Sequence, residues 1–289
     1  MMIMVETLVN GLMLGALYAL FGLGLALIFG VMRIANIAHG EFVIGGAFMA
    51  FSIAGAVALP PVVLVAIVTA LMFAVGWAVQ SALVNRVLGD DPLRPLLLTF
   101  GLSVLPQNLL VEVFGADSRS LDVGAFKTAA VEIGPFSLGL LPLVTFVLTL
   151  ALFGLLHWGL HRTDMGRVVR ATADDPEIAG LMGVNRRAVF SGVMALSAAL
   201  AALAGMLLAM RSTVTPFSGA ERLLIAFEVV VIAGLGSIWA SLAGGLILGI
   251  VHAVSFRFDP TSGLLYGHIL LLAVLLIRPQ GLAGQRRTR

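Results

Sequence analysis

Cysteine is absent from the 289-residue chain, and lysine occurs once, as Lys127. The first absence excludes disulfides, thiolate metal sites and cysteine nucleophiles. The second excludes a G-x-x-x-x-G-K-[ST] phosphate loop, because Lys127 follows Phe126 and no other lysine exists. Any ATP that drives this protein must be bound by another chain. Charge of either sign is scarce too, at 11% of residues, where a soluble domain carries about 25%. A formal charge of +2 is too small to suggest a nucleic-acid partner. Met1–Glu6 holds no basic residue and runs straight into an apolar stretch, so a first membrane helix is expected there and not a cleaved signal peptide.

What the chain does have is apolar sequence. Hydrophobic residues make up 60% of it and its mean hydropathy is +1.08. The composition predicts an all-α polytopic membrane protein forming one domain over residues 1–289, with lipid as its surroundings. A membrane-spanning helix needs roughly 20 apolar residues. By that measure runs are expected over about Thr7–Phe29, Phe42–Leu59, Val62–Val84, Pro95–Gly115, Leu138–Leu160, Ala188–Met210 and Leu264–Ile277. The stretch Leu223–Val254 is too long for one ordinary span, and GLGSIWASLAGG in its middle predicts two short helices joined by a turn at Gly234 and Gly236. Counting broken or re-entrant pieces, about eight to ten segments are expected. Gly11 with Gly15, and Gly245 with Gly249, stand at the small-x-x-x-small spacing that lets helices approach closely.

One long polar passage interrupts this pattern. Residues His161–Arg187, HRTDMGRVVRATADDPEIAGLMGVNRR, carry five arginines against four acids. Basic residues stay cytoplasmic, so this loop and the tail 278–289, with Arg278, Arg286, Arg287 and Arg289, are predicted to face the cytoplasm. The acidic loop Ala116–Ser137 is predicted to face outward. An even number of crossings must then separate the two basic regions. Reading Leu223–Val254 as a two-pass hairpin gives four; reading it as one span gives three. Within the loop, Asp175 before Pro176 marks a helix start, a capping carboxylate followed by a residue whose missing N–H costs nothing at the first helical position. Glu177 adds favourable negative charge to the first turn, and Gly183 supplies a stop. The expected short helix, Pro176–Met182, presents Ile178, Leu181 and Met182 as apolar knobs, either to a docking partner or to the chain's own membrane domain.

No catalytic constellation is visible. The histidines, His39, His157, His161, His252 and His268, show no metal-ligand motif, and no serine stands in a G-x-S-x-G elbow. His157 and His161 are four apart, but beside Trp158 at a helix end they read as interfacial anchors. No cofactor, metal or catalytic residue is expected. Three polar features inside the apolar frame remain as candidate pathway residues. Arg33, Asn36, His39 and Glu41 lie between two apolar runs, facing either the protein interior or the headgroup layer. Glu228 is the acid of the first hairpin arm; it either contacts cargo or pairs with Arg222 or Arg211. Pro106, Gln107 and Asn108 sit mid-span, where a proline predicts a broken helix facing protein or a cavity.

Four ordered stretches resemble the branched-chain amino acid ABC importer permeases: Gly24–Phe48, Thr163–Asn185, Val230–Ala253 and the ending Arg278–Leu282, RPQGL. The resemblance spans the whole chain and is nearest to the shorter permease of the high-affinity system. Trp239-Ala240-Ser241 departs from it, where the family carries small residues. The resemblance implies the ABC importer permease fold in a bacterial inner membrane, a heterodimer with a second homologous permease, two cytoplasmic ATP-binding subunits and an extracytoplasmic substrate-binding protein. Glu177–Gly183 is similar to the segment through which such permeases engage their ATPases. The coupling surface so implied comprises Arg167, Arg170, Asp174, Asp175, Pro176, Glu177, Ile178, Ala179, Leu181, Met182 and Gly183. An aliphatic amino acid as cargo comes from this resemblance alone, and relatives carry other small solutes.

Overall fold

The structure is a computed structural model that describes residues 2–283 apart from Asp90, Pro92 and Pro135. The tail arginines Arg286, Arg287 and Arg289 lie outside the described residues. In chain order the helices are α1 (Met2–Met32), α2 (His39–Ala56), α3 (Pro61–Val79), a π-helical turn (Gln80–Val84), α4 (Asn85–Val87), α5 (Leu93–Phe114) and α6 (Ala125–Thr128). A hairpin of β1 (Ala130–Ile133) and β2 (Phe136–Gly139) follows. The chain then continues through α7 (Leu140–Arg162), α8 (Asp164–Asp174), α9 (Pro176–Leu181), α10 (Arg186–Arg211), α11 (Gly219–Ala233), α12 (Ile238–Phe258) and α13 (Gly263–Ile277). Seven helices among the described residues are long and apolar enough to cross a membrane; α13 is apolar but shorter. This is the all-α polytopic architecture that the composition predicts.

The chain divides into two compact units. One comprises residues 1–26, 122–153 and 224–289, the other residues 27–121 and 154–223. In the first unit, the two glycine pairs expected to allow close packing are each other's partners. A Cβ added to Gly15 would fall 2.7 Å from the Leu246 Cα, and one on Gly11 would fall 2.9 Å from the Ile250 Cα. Gly245 and Gly249 approach Ala19 and Gly15 in the same way. Backbone therefore meets backbone along α1 and α12, which maximises dispersion contact where lipid offers no hydrophobic driving force. The expected turn between α11 and α12 is present, with Gly234 at φ +96 and Gly236 at φ +88, a conformation that costs other L-residues roughly 1–2 kcal/mol. Gly281 packs against Gly234, and the Leu282 and Ala283 N–H groups donate to the carbonyls of Ile232 and Ala233, each at 2.9 Å. The R-P-Q-G-L ending thus closes the open carbonyl end of α11. Trp239 stands 6.4 Å from Phe153, ring centre to ring centre, so an aromatic contact occupies the place of the small residues.

The second unit is organised on α10, whose residues from Ser197 to Met210 are all buried. An alanine-rich helix that is apolar on every side packs on every side. It meets α2 where a Cβ on Gly46 would fall 2.5 Å from the Ala202 Cβ, and α3 where one on Gly76 would fall 2.9 Å from the Ala195 Cα.

One expectation is corrected. The helix through Pro106 is not broken: α5 runs unbroken from Leu93 to Phe114 with Pro106 inside it. A single proline deletes one donor, which a membrane helix tolerates. The loop Ala116–Ser137 carries structure of its own. Leu121 donates to the Ala209 carbonyl (2.8 Å) and Arg119 pairs with Val214, while Gly134 at φ +60 turns the hairpin that places Ala130 opposite Gly139.

Candidate functional site

The polar passage between α7 and α10 folds into two consecutive helices, of which sequence reading finds the second. The missed helix, α8, starts at Thr163, whose hydroxyl accepts from the Gly166 N–H (3.0 Å) and donates to the Gly159 carbonyl (2.6 Å). The turn from α7 into α8 is tight enough that Gly166 lies against the Gly159 and Leu160 carbonyls. Thr-x-x-Gly at a helix end was the available signal, and Gly166 obscured it by lacking the usual acid of a capping box. Arg167 pairs with Asp164 one turn away, in solvent, where such a pair contributes little. Arg170 is half-buried, whereas Asp174 is exposed.

The expected short helix ends one residue early, at Leu181, with Met182 as its cap. Its start is as predicted: Asp175 Oδ1 accepts from the Glu177 and Ile178 N–H groups at 2.9 and 3.0 Å. At its end Gly183, at φ +89, donates to the Gly180 carbonyl (3.0 Å) and Val184 to the Ala179 carbonyl (3.0 Å). That pair of bonds is the Schellman closure, which needs the left-handed residue glycine supplies. Ala179 is buried and anchors α9, but Ile178, Leu181 and Met182 are 60%, 88% and 81% exposed. Glu177 is exposed beside them. A helix this short, fixed at both ends and carrying bare apolar tips, is a rigid knob.

The first polar segment, 33–38, is a protein-facing break between α1 and α2. Asn36 is buried; its Oδ1 accepts from the Ala38 N–H (3.1 Å) and its Nδ2 lies 3.5 Å from the Met194 sulfur. The Thr99 hydroxyl of α5 accepts from the Ile37 N–H (3.3 Å). Unwound backbone between two apolar helices is thereby satisfied by protein groups. Thr99 and Met194 went unnoticed in the sequence because nothing local marks them. His39 and Glu41 begin α2 and are buried, with the Glu41 carboxyl lying against Gly219.

Arg33 does something other than line this interior. It is exposed, holds φ +55, and reaches the Ala173 carbonyl in the last turn of α8 at 3.1 Å. A cation at a helix C-terminus is stabilising by about 0.3–1 kcal/mol, while a left-handed non-glycine residue costs about 1–3 kcal/mol. Arg33→Ala is therefore expected to lower the melting temperature by losing the bond while keeping the strain. Arg33→Gly, which removes both, is expected to melt at or above the wild-type temperature. Equal melting of the two variants would show that the strain carries no weight.

Gln107 is half-exposed and Asn108 exposed, the latter bonded to the Val104 carbonyl of its own helix (2.8 Å); neither joins the segment around Glu41. Pro106 does: with Ala38, Glu41 and residues of α2, α3 and α5 it lines a partly open cleft of about 410 Å³. Glu228 belongs to the other unit, and its partner is not Arg222 or Arg211 but His268 of α13; Arg222 instead bonds Glu221 at 3.1 Å. His161 Nδ1 bonds the His157 carbonyl at 2.9 Å. Among the described residues no cluster of three or more His, Cys, Asp or Glu side chains is placed to hold a metal ion.

Seven apolar helices among the described residues, with a protein-satisfied break between the first two, define a multi-pass membrane protein. Residues 7–277 match the family described as branched-chain amino acid transport system / permease component, and the chain belongs to that family. It is similar to the high-affinity branched-chain amino acid transport system permease protein BraD of Pseudomonas aeruginosa, 29% identical over 97% of this chain and 95% of that one. It is likewise similar to the permease protein LivH of Escherichia coli K12, 30% identical over 96% and 94%. The fructose import permease protein FrcC of Rhizobium meliloti is 33% identical over 64% of this chain and 55% of its own. No solved structure matches the chain.

Proposed function

We propose that this chain is a pathway-forming subunit of an ATP-driven importer of branched-chain amino acids in the bacterial cytoplasmic membrane. It pairs with a second homologous permease, receives cargo from an extracytoplasmic binding protein, and is driven by two cytoplasmic ATP-binding subunits. Residues 161–187 and the C-terminus face the cytoplasm, in accord with their arginines. The observation that carries the reading is the exposed apolar tip of α9, Ile178, Leu181 and Met182, in a chain with no phosphate loop of its own. ATP-driven cycling requires that the ATPases contact the two pathway shapes differently, and a knob rigid at both ends transmits such a difference without absorbing it.

The test is uptake of leucine, isoleucine and valine into proteoliposomes holding the complete importer. Wild type is expected to accumulate them with ATP and to stand idle without it. Gly183→Asp strains the φ +89 position, and Glu177→Arg reverses the charge beside the knobs; both are expected to leave the membrane helices folded while ATP hydrolysis no longer drives uptake. Normal uptake by both variants would remove the docking role. A second cargo reading, a simple sugar, draws on the similarity to the fructose import permease, and accumulation of fructose in place of leucine would favour it.

A further inference from the structure

The π-helical turn Gln80–Val84 joins α3 to α4 beside the start of α10. In it the Asn85 N–H donates to the Gln80 carbonyl, five residues back, where an α-helix would reach back four. The side chains repeat that interval: Gln80 Nε2 donates to Asn85 Oδ1 at 3.0 Å. Residues five apart on an α-helix stand about 140° apart around its axis, so this bond exists only while the turn is π-helical. Gln80 is fully buried, and its Oε1 has no hydrogen-bond partner among the described residues. Asn85 carries the link onward. Its Nδ2 donates to the Arg187 carbonyl (3.3 Å) and to the Ser191 hydroxyl (3.2 Å), both in the first turns of α10. Those turns follow α9 closely: α9 ends at Leu181, Gly183 turns the chain, and Asn185 caps α10 through the Ala188 N–H (3.2 Å). One turn before the π-helical segment, Gly76 is packed against the Met194 carbonyl and Ala198, so that part of α3 has no room to shift.

We infer that Gln80 and Asn85 form a latch through which the docking helix α9 reaches the membrane helices, and that the π-helical turn is the part that switches. The inference rests on the importer reading above and gives its coupling loop a path inward. An ATPase that displaces α9 displaces the first turn of α10, and with it the two acceptors that hold Asn85. Without them the turn relaxes to α-helical geometry. That change advances α4 by one residue, about 100° of rotation and roughly 1.5 Å along the axis. The next helix in the chain, α5, carries Thr99, whose hydroxyl accepts from the Ile37 N–H in the first helix break. Coupling between distant sites needs an element with two discrete arrangements that both sites bias. A single π-helical turn within an α-helix has two such arrangements.

The measurement is leucine taken up per ATP hydrolysed by the complete importer in proteoliposomes. Gln80→Met keeps an unbranched side chain in the buried site but removes the amide. It is expected to lower that ratio at least tenfold, with extraction yield and melting temperature near those of wild type. Asn85→Leu, which releases Gln80 and α10 together, is expected to lower it as far. Because the two residues act as one latch, the double variant is expected to lose no more than either alone. An unchanged ratio in both single variants, or losses that multiply in the double variant, would overturn the latch. Uptake and hydrolysis falling in proportion, with the ratio intact, would reduce the pair to packing and overturn it as well. Should these variants fail to fold, deletion of Ala82, an exposed residue of the π-helical turn, decides. Without the extra residue the helix is continuous, so the protein is expected to be recovered and to hydrolyse ATP without uptake. A wild-type ratio would sink the switch, and so would loss of the folded protein, since the turn would then be a fixed part of the fold. Failure of the importer reading is separable: wild-type proteoliposomes would then take up no leucine with ATP, whatever the variants do.

Discussion

Gly249→Leu is expected to leave no folded protein in the membrane. Gly249 lies against the Gly15 backbone, and Gly11 and Gly245 are packed as closely on the same seam of α1 and α12. The obstruction is main chain, which has no rotamer to escape into. Overpacking a core ordinarily costs about 1–3 kcal/mol; here the helices must separate, and with them the dispersion contact of the whole seam. Membrane helices have little else to hold them together. The measurement is the yield of monodisperse protein after detergent extraction, expected to fall at least tenfold. Gly101→Leu is the control: a Cβ on Gly101 would meet no atom of another element within 4 Å among the described residues, so the same enlargement is expected to leave the yield unchanged. Wild-type yield from Gly249→Leu would mean the seam is looser than its backbone distances require.

Leu181→Asp is expected to do the opposite, keeping the fold and losing the function. Leu181 is 88% exposed at the tip of α9, so the substitution removes almost no packing within the chain and places a carboxylate where the proposed ATPase groove would have to desolvate it. Truncating a central interface anchor costs ≥2 kcal/mol, and burying an unpaired charge adds to that. Extraction yield and melting temperature are expected to match wild type. ATP-driven leucine uptake is expected to fall more than tenfold, and copurification of the ATP-binding subunits to fall with it. Retained uptake and copurification would move the docking surface away from α9. Met182→Asp, at 81% exposure, is expected to act in the same direction.

The two substitutions separate what each stretch of sequence could reveal. Around α9 the sequence was nearly sufficient, because capping is local chemistry: Asp175, Pro176 and Gly183 act on backbone groups within four residues of themselves. The small-x-x-x-small pairs in α1 and α12 were legible as sticky faces, but not as partners. Spacing reports which face of a helix is small and never which other helix will meet it. Pro106 shows the converse error. A residue that breaks a helix in water was read as a break here, and α5 runs straight through it. Glu228 was read against arginines near it in sequence, and the fold instead supplied His268, forty residues on, from another helix.

By itself the sequence determined that the chain lives in a membrane, that it cannot bind ATP through a phosphate loop, that Leu223–Val254 turns back at its glycines, and that the polar loop holds a capped helix. Each of these follows from composition or from interactions a few residues long. Only the tertiary structure decided that the Asn36 turn is held by Thr99 and Met194, that Arg33 ties the first helix break to the end of α8, and that the buried Glu41 carboxyl lies against Gly219. Those contacts join residues 62 to 178 positions apart, and no local periodicity encodes such a meeting.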